Sequence, residues 1–135
     1  MEDSRFFFQT HGDPRGKLVA IEGGHEIPFP IRRIYYIYGI SQDAVRGCHA
    51  HKQLQQVLIC VHGSCKVMLD DGTKRKVLIL DQPNEGVYIP NATWREVYDC
   101  SSDTVLLVLA SDFYHESDYI RTYDDFLDYV RNLRE

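Results

Sequence analysis

The sequence predicts an all-β domain closed by a single helix at its carboxyl end, and three observations carry that prediction. Short apolar segments rich in Val, Ile, Leu and Tyr recur about every ten residues, with turn residues between them. No stretch alternates strand-like and helix-like patterns as a parallel sheet would require. Helical spacing is confined to the last fifteen residues.

The expected strands are Leu18 to Glu22, Ile34 to Tyr38, Gln56 to Val61, Cys65 to Leu69, Lys76 to Leu80, Gly86 to Ile89, Trp94 to Tyr98 and Thr104 to Ala110. Asp71-Gly72 marks a tight hairpin, because glycine accepts positive φ, and His62-Gly63-Ser64 marks another turn. At the carboxyl end, Thr122 is placed to cap a helix, and Asp124 and Asp125 in its first turn suit the helix dipole. Tyr123, Phe126, Leu127, Val130 and Leu133 then form an apolar stripe, with Arg131 and Arg134 at the end. This helix is expected to pack on the outside of a sheet.

At 135 residues the chain makes one domain, expected over residues 1–135. Fifteen Lys and Arg against twenty Asp and Glu give a net charge of −5. That balance argues against nucleic-acid binding, which requires a basic face to neutralise phosphates. No run approaches the length of apolar residues that spans a membrane. The start, MEDSRFFFQT, is acidic with a short apolar patch, unlike a secretory signal, so a cytoplasmic location is expected. Cys48, Cys60, Cys65 and Cys100 are expected as reduced thiols, and the lack of any Cys-x-x-Cys pair excludes a zinc ribbon. Phe6-Phe7-Phe8 must be covered by the chain's own sheet or by a partner's.

The chemically informative segment is Arg46-Gly47-Cys48-His49-Ala50-His51. On a strand, alternation points His49 and His51 to one face. Two imidazoles inside a small barrel are costly unless they serve a function. Neutral imidazole is the natural general base near neutral pH. Arg95 would favour negative charge in a ligand or intermediate, and Arg15 and Arg46 are further anion-binding candidates.

The segment resembles the first motif of the cupins, His-x-His followed by Glu and Gly, with His49, His51, Gln56 and Gly63 in those positions. The second motif is matched by Pro90-Asn91-Ala92-Thr93-Trp94-Arg95, with Ala92 for glycine and Arg95 for the histidine. An amide and a guanidinium therefore stand where two metal ligands are usual. A guanidinium repels a cation, so no metal and no other cofactor is expected.

A narrower resemblance covers nearly the whole chain. Arg15-Gly16-x-Leu18-Val19-Ala20-Ile21-Glu22, Ile27-Pro28-Phe29, Arg33-Ile34-Tyr35-Tyr36-Ile37, Arg46-Gly47-x-His49-Ala50-His51-Lys52 and Gln56-Val57-Leu58 carry it in the first half. Leu69-Asp70-Asp71-Gly72, Leu107-Val108-Leu109-Ala110-Ser111-Asp112 and Asp118-Tyr119-Ile120-Arg121 carry it in the second. Together they are similar to the nucleotide-sugar 3,4-ketoisomerases, which act on dTDP-4-keto-6-deoxyglucose in making 3-amino-3,6-dideoxyhexoses for surface glycans such as lipopolysaccharide O-antigen. Cys48 departs from the aromatic expected at its position.

The resemblance implies a cupin jelly-roll (double-stranded β-helix) barrel, a homodimer with exchanged amino-terminal strands and a catalytic His49 assisted by His51 and Tyr35. It leaves Arg15, Arg46, Arg95 and Trp94 to bind substrate, the arginines at the diphosphate and the indole stacked on the base or packed in the core. Arg15-Gly16 is similar to members forming the galacto-type product and Arg95 to those forming the gluco-type, so the product stays open. Two alternatives also stay open: a dTDP-sugar 3,5-epimerase-like enzyme, and a non-catalytic ligand-binding cupin.

Overall fold

The computed structural model describes residues 4–135 and contains twelve strands and one α-helix. In chain order the strands are β1 (Arg5–Phe7), β2 (Thr10–Asp13), β3 (Gly16–Val19), β4 (Arg33–Ile37), β5 (Arg46–His51) and β6 (Gln56–His62). They continue as β7 (Cys65–Asp70), β8 (Arg75–Leu80), β9 (Glu85–Ile89), β10 (Trp94–Tyr98), β11 (Val105–Ala110) and β12 (Tyr119–Ile120), before α1 (Tyr123–Arg134). Two five-stranded antiparallel sheets, ordered β1-β9-β6-β11-β4 and β12-β5-β10-β7-β8, face each other as a jelly-roll barrel. The fold is the all-β barrel with a carboxyl-terminal helix that the sequence predicts.

The barrel interior is filled from both sheets. Leu58, Val87, Ile89, Leu106 and Val108 come from one sheet and Val67, Leu69, Leu80 and Val97 from the other. Both outer faces are also covered, the first by Phe8, Ile27 and Phe29 against Val57, Ile59 and Leu109. On the second, α1 lays Phe126 and Val130 over Ala50, Met68 and Trp94. This double burial explains why Gln56-Val57-Leu58-Ile59-Cys60 is buried without a break.

Helix α1 is capped as its sequence indicates: Thr122 Oγ1 accepts the Asp125 N–H. It is tied to the β7–β8 hairpin by Tyr123, whose hydroxyl donates to the buried Asp70 carboxylate at 2.6 Å. The expected tight turn at Asp71-Gly72 is a four-residue loop, since Asp70 already pairs with Arg75. Asp71 Oδ1 accepts the N–H groups of Thr73 and Lys74 and holds that loop. The first expected strand also shifts, to Gly16–Val19, because its register is set by pairing with Thr10 to Asp13.

The chain's own sheet answers part of the phenylalanine problem. β1 pairs with β9, Phe8 is buried, and Phe6 packs against Tyr88, while Phe7 stays 73% exposed. Two turn positions stand at the glycine places of the two sequence motifs. Gly63 has φ +84°, and a Cβ there would come within 2.8 Å of the Thr104 backbone, so only glycine fits. Ala92, in the place of the second motif's glycine, also sits at positive φ (57°). Its N–H donates to the His51 carbonyl at 2.7 Å.

Candidate active site

β5 enters the site through a bulge. Arg95 pairs with His49 and Val97 with Arg46, so β5 advances three residues where β10 advances two. Gly47, at φ 69°, supplies the left-handed backbone this requires. That is the physical sense of the glycine in Arg46-Gly47.

Beyond the bulge the two histidines share a face, as alternation predicts. Their rings meet edge to face with centroids 4.8 Å apart. Ala50, between them, turns into the core under α1. Two cavities lie on either side of the pair. One, of about 530 Å³, is lined by Arg33, Tyr35, Arg46, His49, Arg95 and Arg121 among others. The other, of about 440 Å³, reaches His51, Gln53, Gln55, Ser111 and Asp118. Tyr119 and Arg33 line both.

Tyr119 is the wall between them. β12 pairs it with His51, and its ring lies 4.3 Å from the His51 ring and 5.0 Å from the His49 ring. Arg121 Cζ lies over the Tyr119 ring, 4.2 Å from its centre, and the guanidinium is gripped by both carboxylate oxygens of Glu116.

Both histidines are neutral at neutral pH. Burial, with the Arg95 and Arg121 cations, lowers His49 to about 3. Burial, Arg95 and the neighbouring His49 lower His51 to about 2. An Asp118 oxygen lies 3.7 Å from His51 Nδ1, which would work in the opposite direction. That carboxylate is already occupied by the N–H groups of Gln53 (2.9 Å) and Leu54 (3.1 Å), so burial and the surrounding cations prevail.

At the third motif position, Gln56 is fully buried. Its amide oxygen accepts from Arg95 Nη1 at 2.6 Å and its amide nitrogen donates to Tyr35 Oη at 3.0 Å. Burial pushes Arg95 down to about 10, which leaves it a cation at neutral pH. Among the described residues, no three His, Cys, Asp or Glu side chains are grouped to hold a metal ion.

The structure brings His49, Tyr35, Arg46 and Arg95 to one cavity and His51 to its shared wall. It places two expected residues elsewhere. Trp94 is 4% exposed, packed on Tyr123 and Phe126, with its indole N–H on Glu96. It adjoins Arg95 in β10, and alternation sends the two side chains to opposite faces, so Trp94 belongs to the helix-side core. Arg15 lies in the β2–β3 hairpin, paired with Asp13 and open to solvent, outside both cavities.

The model of the family described as FdtA (WxcM-like, C-terminal) matches residues 3–131. A TDP-4-oxo-6-deoxy-α-D-glucose-3,4-oxoisomerase of Aneurinibacillus thermoaerophilus is 50% identical over 133 residues, 98% of this chain and 96% of that protein. The chain belongs to the sugar 3,4-ketoisomerase family. A 3,4-ketoisomerase from Helicobacter canadensis superposes with a TM-score of 0.92 at 51% identity, covering 94% of this chain and 96% of that one. QdtA from Thermoanaerobacterium thermosaccharolyticum, solved with TDP, gives 0.93 at 44% identity, covering 96% and 95%.

Four residues that line these cavities were not among the site candidates read from the sequence: Arg33, Asp118, Tyr119 and Arg121. One carried a readable signal. Arg33 stands two residues before Tyr35 on one strand, and Arg33 Cζ lies 5.3 Å from the Tyr35 ring centre. Tyr119 and Arg121 reach His49 and His51 through the β12–β5 pairing, which joins distant parts of the chain.

Proposed function

We propose that the chain converts TDP-4-keto-6-deoxyglucose to a TDP-3-keto-6-deoxyhexose. The observation that carries this reading is the facing of neutral His49 and the Tyr35 phenol on one cavity rimmed by arginines, in a chain of this family. Moving a ketone from carbon 4 to carbon 3 removes the proton on carbon 3, passes through an enediol and delivers a proton to carbon 4. His49 takes the first proton as a neutral imidazole and returns it as imidazolium. Between those steps a hydroxyl proton must travel from the oxygen on carbon 3 to the oxygen on carbon 4. Tyr35 performs that transfer, with His51 as the second proton carrier.

Arg33, Arg46, Arg95 and Arg121 supply the positive charge for the diphosphate, and guanidinium groups bind phosphate in a bidentate fashion. Two of these cations, Arg95 and Arg121, add to burial in lowering His49. A bound diphosphate offsets them and moves His49 back towards the range of a working base. The chemistry needs no metal: the positions that complete a cupin metal site hold Gln56 and Arg95, which bond each other.

The same reading includes a homodimer that exchanges its amino-terminal strands. Among the described residues, β2 and β3 pair only with each other, and both are largely exposed. A two-stranded hairpin of this kind is marginal alone. Laid on a partner, it would carry Arg15 towards the partner's substrate. We place the enzyme in the cytoplasm, in the making of 3-amino-3,6-dideoxyhexoses for surface glycans. No helix among the described residues is long and apolar enough to cross a membrane.

The test is proton NMR of the protein with TDP-4-keto-6-deoxyglucose in deuterated buffer containing a chelator. A 3-keto product carrying deuterium at carbon 4 supports the isomerase, and its coupling constants assign the gluco or galacto product. Inversion with exchange at carbons 3 and 5 would instead make it an epimerase. No exchange would leave a ligand-binding barrel.

A further inference from the structure

We propose that Gln56 is a positioning residue that sets the direction of the Tyr35 hydroxyl proton, an inference that rests on the ketoisomerase reading above. The two ends of a glutamine amide are usually hard to tell apart. Here they are fixed by Arg95, which has donors only, so the group facing its Nη1 at 2.6 Å must be the amide oxygen. The amide NH2 is thereby turned to Tyr35 Oη, 3.0 Å away, and the phenol oxygen must accept.

A phenol that accepts from Gln56 cannot point its own proton there. That proton is left for the cavity that Tyr35 shares with His49. Little else can rearrange. Gln56 is fully buried, and its backbone is paired on both sides, to Ile89 and to Ala110. Arg95 is itself buried, so the polarity of the whole Arg95–Gln56–Tyr35 chain is locked from its cationic end.

The lock suits the oxygen-to-oxygen transfer. Tyr35 gives its O–H proton to the oxygen on carbon 4 as the enediol forms, and takes back the proton of the hydroxyl on carbon 3. While the phenol is short of a proton, the Gln56 NH2 still donates to it and stabilises the negative charge. A carboxylate at this position would do the reverse: it would accept the phenol proton and withdraw it from the cavity.

Gln56→Glu therefore tests the proposal with almost no change of shape, keeping an acceptor for Arg95. A chelator must be present throughout, because the new carboxylate joins His49 and His51 as a metal-ligand set. The expected result is a kcat about a hundredfold lower with KM within about threefold. In a Tyr35→Phe background the same substitution should change kcat by less than about twofold, since the proton it redirects is gone. Equal losses in both backgrounds, or no loss in the first, would overturn the proposal.

A second readout does not depend on turnover. With tyrosine labelled at the ring carbon bearing the hydroxyl, the Tyr35 resonance is assigned by its disappearance in Tyr35→Phe. Its titration should move to higher pH in Gln56→Glu, and an unmoved titration would also overturn the proposal. A wild-type protein without turnover would sink the ketoisomerase reading, while this titration would still decide whether Gln56 controls Tyr35.

Discussion

Tyr119 pairs with His51 across the β5–β12 ladder and places its ring 4.3 Å from that imidazole, so a two-residue strand sets the geometry of the histidine pair. The contact is aromatic. Tyr119→Phe should therefore keep kcat within about threefold of wild type, whereas Tyr119→Ala, which opens the wall between two cavities, should lower it by about a hundredfold. Steady-state kinetics of the two variants check this, and similar losses in both would show that the hydroxyl is what matters.

His49→Asn separates chemistry from binding. Asparagine retains a polar group of similar reach but cannot shuttle a proton near neutral pH. Turnover should fall by about a thousandfold or more, with TDP affinity by calorimetry within about threefold of wild type. Retained turnover would remove His49 from the role of base.

The buried histidines also make stability depend on pH. Both titrate lower in the fold than the ordinary value near 6.5, to about 3 for His49 and about 2 for His51. The unfolded chain binds more protons below that ordinary value, so stability is complete above it and is lost as pH falls. From pH 7 to pH 5, His51 alone should account for about 2 kcal/mol of lost stability. Urea unfolding at the two pH values should show a smaller loss for His51→Asn than for wild type. Equal losses would mean that His51 is not held neutral.

Exposed apolar side chains on the amino-terminal strands and β4 predict self-association. Leu18 is 58% exposed, Tyr36 64% and Phe7 73%, three large side chains within one end of the chain. Sedimentation at micromolar concentration should show a dimer, and Leu18→Asp should shift it towards monomer. A wild-type monomer under those conditions would end the exchanged-strand proposal.

The legible parts of this protein are the ones written in local periodicity. Val57 to Cys60 and Leu106 to Ala110 announce strands, and Tyr123, Phe126 and Val130 announce a helix face. The shared face of His49 and His51 is readable from alternation, whereas Tyr35 is singled out over Tyr36 by the family resemblance alone. Alternation also says that Trp94 cannot accompany Arg95, which assigns the indole to the core. What local pattern does not encode is pairing between distant segments. β2, reading Thr-His-Gly-Asp, has no apolar period, and β12 is two residues long. Tyr119 and Arg121 join the site only because β12 adds to the edge of β5.

The methyl group of Ala92 gives the barrel a tensioned brace. Its left-handed backbone is disfavoured for any residue with a Cβ, by about 1 kcal/mol or more. The N–H held in that conformation is the one bonded to the His51 carbonyl. Relaxing the turn towards the right-handed basin would draw that N–H away and let the histidine strand drift. The β9–β10 corner thus works as a stop for β5, tying the His51 carbonyl in place through the N–H that the left-handed turn presents.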